Sequence, residues 1–383
     1  MLRSEALIGP SIVTDDAVLE AHAVLVSDGK IEGVVPAGQV PAEYARRDLG
    51  RGILTAGLVD IHTHGAGGRS FNEGDAAAHR EALEAYLRAG VTSVLPTMSA
   101  APIPDLVASL EAVASTRGSA GLPRVEGAHL EGPYFSHAQR GAQDPRTLRT
   151  PDDGSIDALL NHADTIRMMS FAPELPGAVA LTERLVDLGI VAAAGHTGGR
   201  DTDLIACQRA GLSHVIHVFS GQSTTVREGP WRRPGMLEAT LASDSLTVEM
   251  IGDGKHLPPT LMNLALRCLG GRLCLVSDST SGAGLPDGSV YRMGDNEYLV
   301  EDGVGVTMDR MAFAGSTTLI SQMLPVVAEL GVGLVELVAM ATSIPAGAAK
   351  LTGVGRIARG YHADFALFDE TLALKAVALA GEW

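Results

Sequence analysis

The sequence predicts an α/β protein, a (β/α)8 TIM barrel with a small β-sandwich domain formed by both chain ends. Three features predict it. Short β-branched runs broken by turn residues fill the first part of the chain and return at its end. From residue 56 onward, apolar runs of strand length alternate with amphipathic helical patterns. Histidines and carboxylates recur where those apolar runs stop, which is where a barrel of this kind gathers its chemistry.

At the amino end, "SIVTDD", "AVLVSDGKIEGVVPAG" and "RRDLGRGIL" read as small antiparallel strands, with Asp28-Gly29 as a hairpin turn. Barrel strands are expected at 58–62, 91–95, 124–130, 166–170, 190–195, 213–218, 246–251 and 272–277. Helical patterns lie between several of them: "DAAAHREALEAYLRAG", "IPDLVASLEAVAST", "AVALTERLVDLG", "DTDLIACQRAG" and "TLMNLALRCLG". Two more helices are expected near 317–330 and 333–341, after which "GRIARGYHADFALFDETLALKAVALAGEW" returns to short strands. The expected division is residues 1–55 with 355–383 for the β-sandwich and 56–354 for the barrel. The chain shows no internal repeat and no low-complexity tract. The loop "SGQSTTVREGPWRRPG" (220–235) is long and polar for a compact fold, and such loops often carry function.

With 383 residues, 46% hydrophobic and 19% charged, the chain can bury a large core, which argues against disorder. A net charge of −16 argues against non-specific nucleic-acid binding and fits a cytoplasmic enzyme acting on a small molecule. Cys207, Cys268 and Cys274 are odd in number and lack CxxC spacing, so they read as reduced thiols rather than a disulfide framework or a structural zinc site. The start "MLRSEALIGPSIVTDD" has no apolar run of signal-peptide type, and no uncharged stretch has the length and pattern of a membrane span.

The run "LVDIHTHG" raises the chemical question. In a strand, residues two apart face one side, so His62 and His64 project together, and Gly65 lets the chain turn at once. Imidazole is the commonest protein metal ligand, but a lone H-x-H is also compatible with two satisfied histidines in a turn. The other strand ends decide between the two. "AHLEGPYF" brings Glu131, "AAGHTG" His196, "HVIHVFSG" His217 and "LVSDSTSG" Asp278. Each has an ordinary explanation alone: a loop carboxylate, a helix cap, a core histidine like its neighbour His214, an N-cap. Together they put six metal-compatible residues on one rim. Such a set suits zinc, iron, manganese or cobalt, as one or two ions, with zinc the first choice. Glu131 is placed to bridge two ions, and Asp278 to act as general base on water and general acid on a leaving group.

At this point the sequence resembles the amidohydrolase superfamily, and within it the N-acetylglucosamine-6-phosphate deacetylases. The segments that carry the resemblance are "GLVDIHTHG", "HLEGPYFSHAQRGAQDP", "FAPE", "GHTGG", "HVFSG", "IGDGKHLPP", "VSDSTSGAGLPDG", "FAGSTT" and "GRIARGYHADFALFD". The resemblance implies hydrolysis of a 2-acetamido sugar phosphate and a homodimer. It also implies a substrate shell at Gln143, Ser220, Gly221, Arg232, His256 and Ala314, with Arg227 and Arg233 as further candidates for the phosphate. In that shell Gln143 stands where the family has histidine, Ser220 stands where it has asparagine, and "RRPG" replaces "REPG". Some relatives bridge two metals with a carboxylated lysine. None of the four lysines here (Lys30, Lys255, Lys350, Lys375) falls between 56 and 254, which leaves that position to Glu131. Two other readings stand beside this one: the same chemistry on a different acylated amino sugar or related amide, and a catalytically silent barrel that binds a ligand. A serine hydrolase is disfavoured because no G-x-S-x-G occurs.

Overall fold

The computed structural model describes residues 4–383; the first three residues, on which the amino-terminal reading begins, lie outside the described residues. Eight parallel strands form the centre: Leu58–Thr63, Val91–Ser99, Ala128–Glu131, Ile166–Phe171, Val191–Ala194, His214–Val215, Thr247–Ile251 and Leu273–Val276. They pair in chain order through seven parallel ladders. The eighth strand returns to the first through the Asp278 N–H, which donates to His62 O at 2.9 Å, and the His64 N–H, which donates to Ser279 O. The seam that nearly closes the barrel is therefore made by residues of the candidate site itself.

These runs became strands because both faces are buried. Val59, Ile61, Leu95, Met168, Val191, Ala193, Ile216, Ile251, Cys274 and Val276 pack in one cluster inside the barrel. Alternate residues face the helical layer, where Leu58, Val94, Leu130, Met169, Val248 and Leu275 meet helices such as Ala76–Arg88 and Ile103–Thr116. Asp75 caps the first of these helices by accepting the Ala77 N–H. The helices expected between strands are all present, as are Ile320–Ala328 and Leu334–Met340.

The expected third strand at 124–130 splits into Arg124–Val125 and Ala128–Glu131, both pairing with Val91–Ser99. Gly127 lies at the break with φ +133°, and a Cβ there would sit 2.8 Å from Arg167 Cβ. A four-stranded antiparallel sheet over Val290–Ser316 was not expected from the sequence. Its first two turns are the Gly294 and Asp302–Gly303 positions, and Arg310 lies in the third, all at positive φ. Its buried face is Tyr291, Met293, Tyr298, Val300 and Ala314.

Both chain ends contribute to the remaining sheets. A four-stranded sheet runs Lys30–Pro36, His22–Ser27, Ser4–Ile8, Ala45–Asp48, and a five-stranded sheet runs Leu374–Ala378, Phe365–Phe368, Ile53–Ala56, Ser11–Val13, Val18–Leu19. Leu7, Val24 and Ile31 of the first share a core with Ile12, Leu54, Phe365 and Leu367 of the second, so the two sheets pack as a sandwich. Arg124 ties this unit to the barrel by pairing with Asp364 at 2.6 Å.

Candidate metal centre

The ends of the first, third, fifth, sixth and eighth barrel strands bring His62, His64, Glu131, His196, His217 and Asp278 together. Glu131 is the hub. His196 Nε2 and His217 Nε2 each lie 3.0 Å from its Oε1, His62 Nε2 lies 3.6 Å from the same oxygen, and His64 Nε2 lies 3.4 Å from Oε2. Asp278 Oδ1 is 3.2 Å from His64 Nε2 and 3.6 Å from His62 Nε2. All six residues are buried or nearly so, yet they border a cavity of about 760 Å³ that opens at this rim. His196, His217 and Asp278 take positive φ values of 44°, 22° and 44°. For non-glycine residues such conformations cost about 1–3 kcal/mol each, a strain found where function over-determines the backbone.

The donor set fits a divalent cation. Two trios present nitrogen and oxygen atoms all within 4.8 Å of one another: His62, His64 and Asp278, and His62, Glu131 and His217. His196 joins the second group through its contact with Glu131. Two buried ring nitrogens, His62 Nε2 and His217 Nδ1, have no hydrogen-bond partner. A buried polar atom left unpaired costs about 1–3 kcal/mol, and His62 Nε2, 3.6 Å from both Glu131 Oε1 and Asp278 Oδ1, suits a cation between the two carboxylates. His129 is different: its two nitrogens are taken by Ile61 O (3.1 Å) and Ser170 Oγ (2.6 Å), so it is a satisfied core histidine.

The charges are interdependent. Burial opposes ionisation of Glu131, but His196, His217 and His62 outweigh it and hold its carboxyl well below the usual range. Asp278 is likewise held down, against burial, by His62, His64 and His217. His62 is pushed up to about 10, because Glu249, Asp278 and Glu131 together overcome the burial that would lower it. In the metal-free protein His62 therefore keeps a proton at neutral pH, and a cation has to displace it. The sign follows: falling pH favours the proton, rising pH favours the cation, up to about pH 10. Affinity for a divalent ion is expected to rise about tenfold per pH unit for each proton released. Competition against a chromophoric chelator across pH, with proton release followed in parallel, checks this; pH-independent uptake would contradict it.

The expected substrate shell divides. Ser220, Gly221, His256, Ala314 and Gln143 all line the cavity. Gly221 sits at φ +58°, and a Cβ there would lie 2.8 Å from His196 Nδ1, so no side chain fits. His256 uses Nδ1 on Asp253 (2.7 Å) and stands against the ring of Phe313. Gln143 has both amide ends engaged: Nε2 donates to Glu131 Oε2 at 2.5 Å, and Oε1 accepts from the Ala100 N–H at 2.8 Å. Arg227, Arg232 and Arg233 do not line the cavity. They lie on a solvent-exposed hairpin, Val226–Glu228 with Trp231–Arg233, where Arg233 pairs with Glu228. The cavity's own arginines, Arg69 and Arg292, are paired with Glu81 and Glu297.

One residue of this centre escaped the sequence reading altogether. Glu249, fully buried in the seventh barrel strand, accepts from His62 Nδ1 at 2.7 Å, His214 Nε2 at 3.0 Å and the His217 N–H at 3.2 Å. The available signal was a carboxylate inside the apolar run "LTVEMI". Burying such a charge is costly unless it is paired.

Comparison with known proteins agrees along the whole chain. Residues 53–382 match the amidohydrolase family, and residues 6–54 match the NagA composite domain. A protein of Escherichia coli O157:H7 named N-acetylgalactosamine-6-phosphate deacetylase is 30% identical over 377 residues, covering 97% of each chain. A Haemophilus influenzae N-acetylglucosamine-6-phosphate deacetylase is 28% identical, covering 99% of this chain and 98% of its own. The solved structure of an aspartate-to-alanine mutant of N-acetyl-D-glucosamine-6-phosphate deacetylase from Mycobacterium smegmatis, in complex with N-acetyl-D-glucosamine-6-phosphate, superposes with a TM-score of 0.91. It is 32% identical and covers 100% of this chain and 99% of its own.

Proposed function

The chain belongs to the amidohydrolase family, and from that premise we propose that it hydrolyses the acetamide of N-acetyl-D-glucosamine 6-phosphate to glucosamine 6-phosphate and acetate. The observation that carries the reading is the convergence of four imidazoles and two carboxylates on one rim, beside a cavity of about 760 Å³. Glu131, His196 and His217 would hold one divalent ion, and His62 and His64 a second. Zinc is the first choice, and iron, manganese or cobalt suit the same donors. Held by these residues, such an ion would supply Lewis acidity toward the acetamide carbonyl and the attacking water.

The residues of the chain do the rest. Asp278, whose Oδ1 reaches the same rim 3.2 Å from His64 Nε2, accepts a proton from the attacking water and returns it to the departing nitrogen. The C–N bond breaks, the nitrogen leaves as an amine and the acyl carbon leaves as acetate. Gln143 holds the Glu131 carboxylate in place by donating from its amide Nε2. His256, Ser220, Gly221 and Ala314 border the space for the sugar.

The phosphate reader is proposed to be Arg232, reaching over from a second copy of the chain in a homodimer, since its hairpin lies outside its own cavity. Arg227 and Arg233 are its neighbours on that hairpin. Guanidinium pairs with phosphate through two parallel hydrogen bonds, which suits it to this task. Replacing Arg232 by Ala is expected to raise KM for the phosphorylated sugar about ten- to hundredfold, from the ~1.5–3 kcal/mol of a lost charge-assisted contact. The unphosphorylated sugar should be nearly unaffected; equal loss on both would contradict the assignment.

A second reading, the galacto epimer, is favoured by the Escherichia coli relative named for it. Acetate release from both 6-phosphates, compared by kcat/KM, decides between them. No helix among the described residues is long and apolar enough to cross a membrane. A cytoplasmic location belongs to this proposal, as does the division into a β-unit (1–55 with 355–383) and a barrel (56–354).

A further inference from the structure

We propose that Glu249 is the positioning residue of the metal centre: it fixes the His62 imidazole with its proton on Nδ1, so that Nε2 faces the ion held with His64. This rests on the metal-centre reading above and adds a residue to it. Glu249 is fully buried between Val248 and Met250, in mid-strand, where a carboxylate has no role in packing. Its Oε2 lies 2.7 Å from His62 Nδ1 and also accepts the His217 N–H at 3.2 Å. Its Oε1 is held by His214 Nε2 at 3.0 Å, and His214 Nδ1 in turn meets Thr247 Oγ1 at 2.7 Å. The carboxylate is thus fixed from both sides before it meets His62.

Two facts give the contact a direction. A carboxylate at Nδ1 keeps a ring proton there, so the proton that a cation displaces is the one on Nε2, and Nε2 is the nitrogen that faces the ion. That nitrogen is buried without a hydrogen-bond partner, 3.6 Å from both Glu131 Oε1 and Asp278 Oδ1. The competing arrangement, an ion held one layer deeper by His62, His129 and Glu249, fails because both nitrogens of His129 already have partners. Glu249 therefore acts on the ion through the His62 ring; the same oxygen accepts the His217 N–H, a backbone contact that the acceptor oxygen of Gln would keep.

The test measures metal, not turnover. Cobalt(II) is titrated into chelator-stripped wild type, Glu249→Gln, His62→Gln and the double variant, with the visible spectrum reporting each ion's coordination. Glu249→Gln keeps size and an acceptor oxygen but loses the charge. It is expected to weaken the ion held with His62 about ten- to hundredfold, the usual cost of losing an outer-shell partner, and to leave the ion at His196 and His217 within about threefold. The double variant should bind cobalt no worse than His62→Gln alone, because Glu249 acts through His62. Unchanged affinity in Glu249→Gln, or equal loss at both ions, would overturn the proposal. A second measurement needs no variant: long-range proton–nitrogen correlation spectra of zinc-loaded wild type should place the His62 proton on Nδ1, and a proton on Nε2 would overturn the proposal whether or not Glu249→Gln folds. Wild type that takes up no ion at all would instead refute the metal-centre reading itself.

Discussion

Asp278→Asn is expected to lower kcat about 10²–10⁴-fold, the range for loss of a general acid–base group, while metal content and substrate affinity stay close to wild type. The substitution keeps the size of the side chain and one acceptor oxygen, so the seam hydrogen bond from the Asp278 backbone N–H to His62 O should persist. What disappears is the second, basic carboxylate oxygen at the rim. The measurement is single-turnover acetate release beside equilibrium binding of the N-acetyl sugar phosphate. A correctly folded variant with near-wild-type turnover would remove Asp278 from the chemistry.

Glu131→Gln should have the other large effect, through the metal rather than the proton. Glu131 is the group on which His62, His64, His196, His217 and Gln143 all converge. Losing its charge removes the proposed bridge between two ions. Divalent-ion affinity should fall by more than about 100-fold, beyond the usual cost of losing an outer-shell partner, and activity should fall with it. Metal content by elemental analysis, taken beside acetate release, checks this. Full metal content with full activity would place the ions elsewhere.

Much of this site could be read from the sequence because barrel chemistry sits at strand ends, and strand ends are where apolar runs stop. His62 and His64 were legible from two-residue spacing, and Glu131, His196, His217 and Asp278 from their place after buried runs. Glu249 was not, because it stands inside an apolar run rather than after one, and only the fold puts it beside His62. The sheet over Val290–Ser316 was missed because its strands are half-exposed and short, with charged residues on the open face; its Gly294 and Asp302-Gly303 turn positions were the available signal. Gln143 was expected among the substrate contacts; it lines the cavity, and the structure adds that its amide spans Glu131 and Ala100. Sequence position can place a side chain at a rim, but not say which neighbour it turns towards. The arginine-bearing loop was expected to be functional, yet that it folds as an exposed hairpin, away from its own cavity, is a tertiary fact.

Metal-dependent deacetylation at this rim is read out by acetate release. Protein stripped by chelation is incubated with N-acetyl-D-glucosamine 6-phosphate, its galacto epimer and the unphosphorylated sugars, and then with zinc, iron, manganese or cobalt restored one at a time. The expected result is no acetate from the stripped protein, and acetate with free amine in equal amounts from a 6-phosphate once an ion is restored. Turnover that persists with no metal detectable, or no acetate from any of these sugars with any ion, would contradict it.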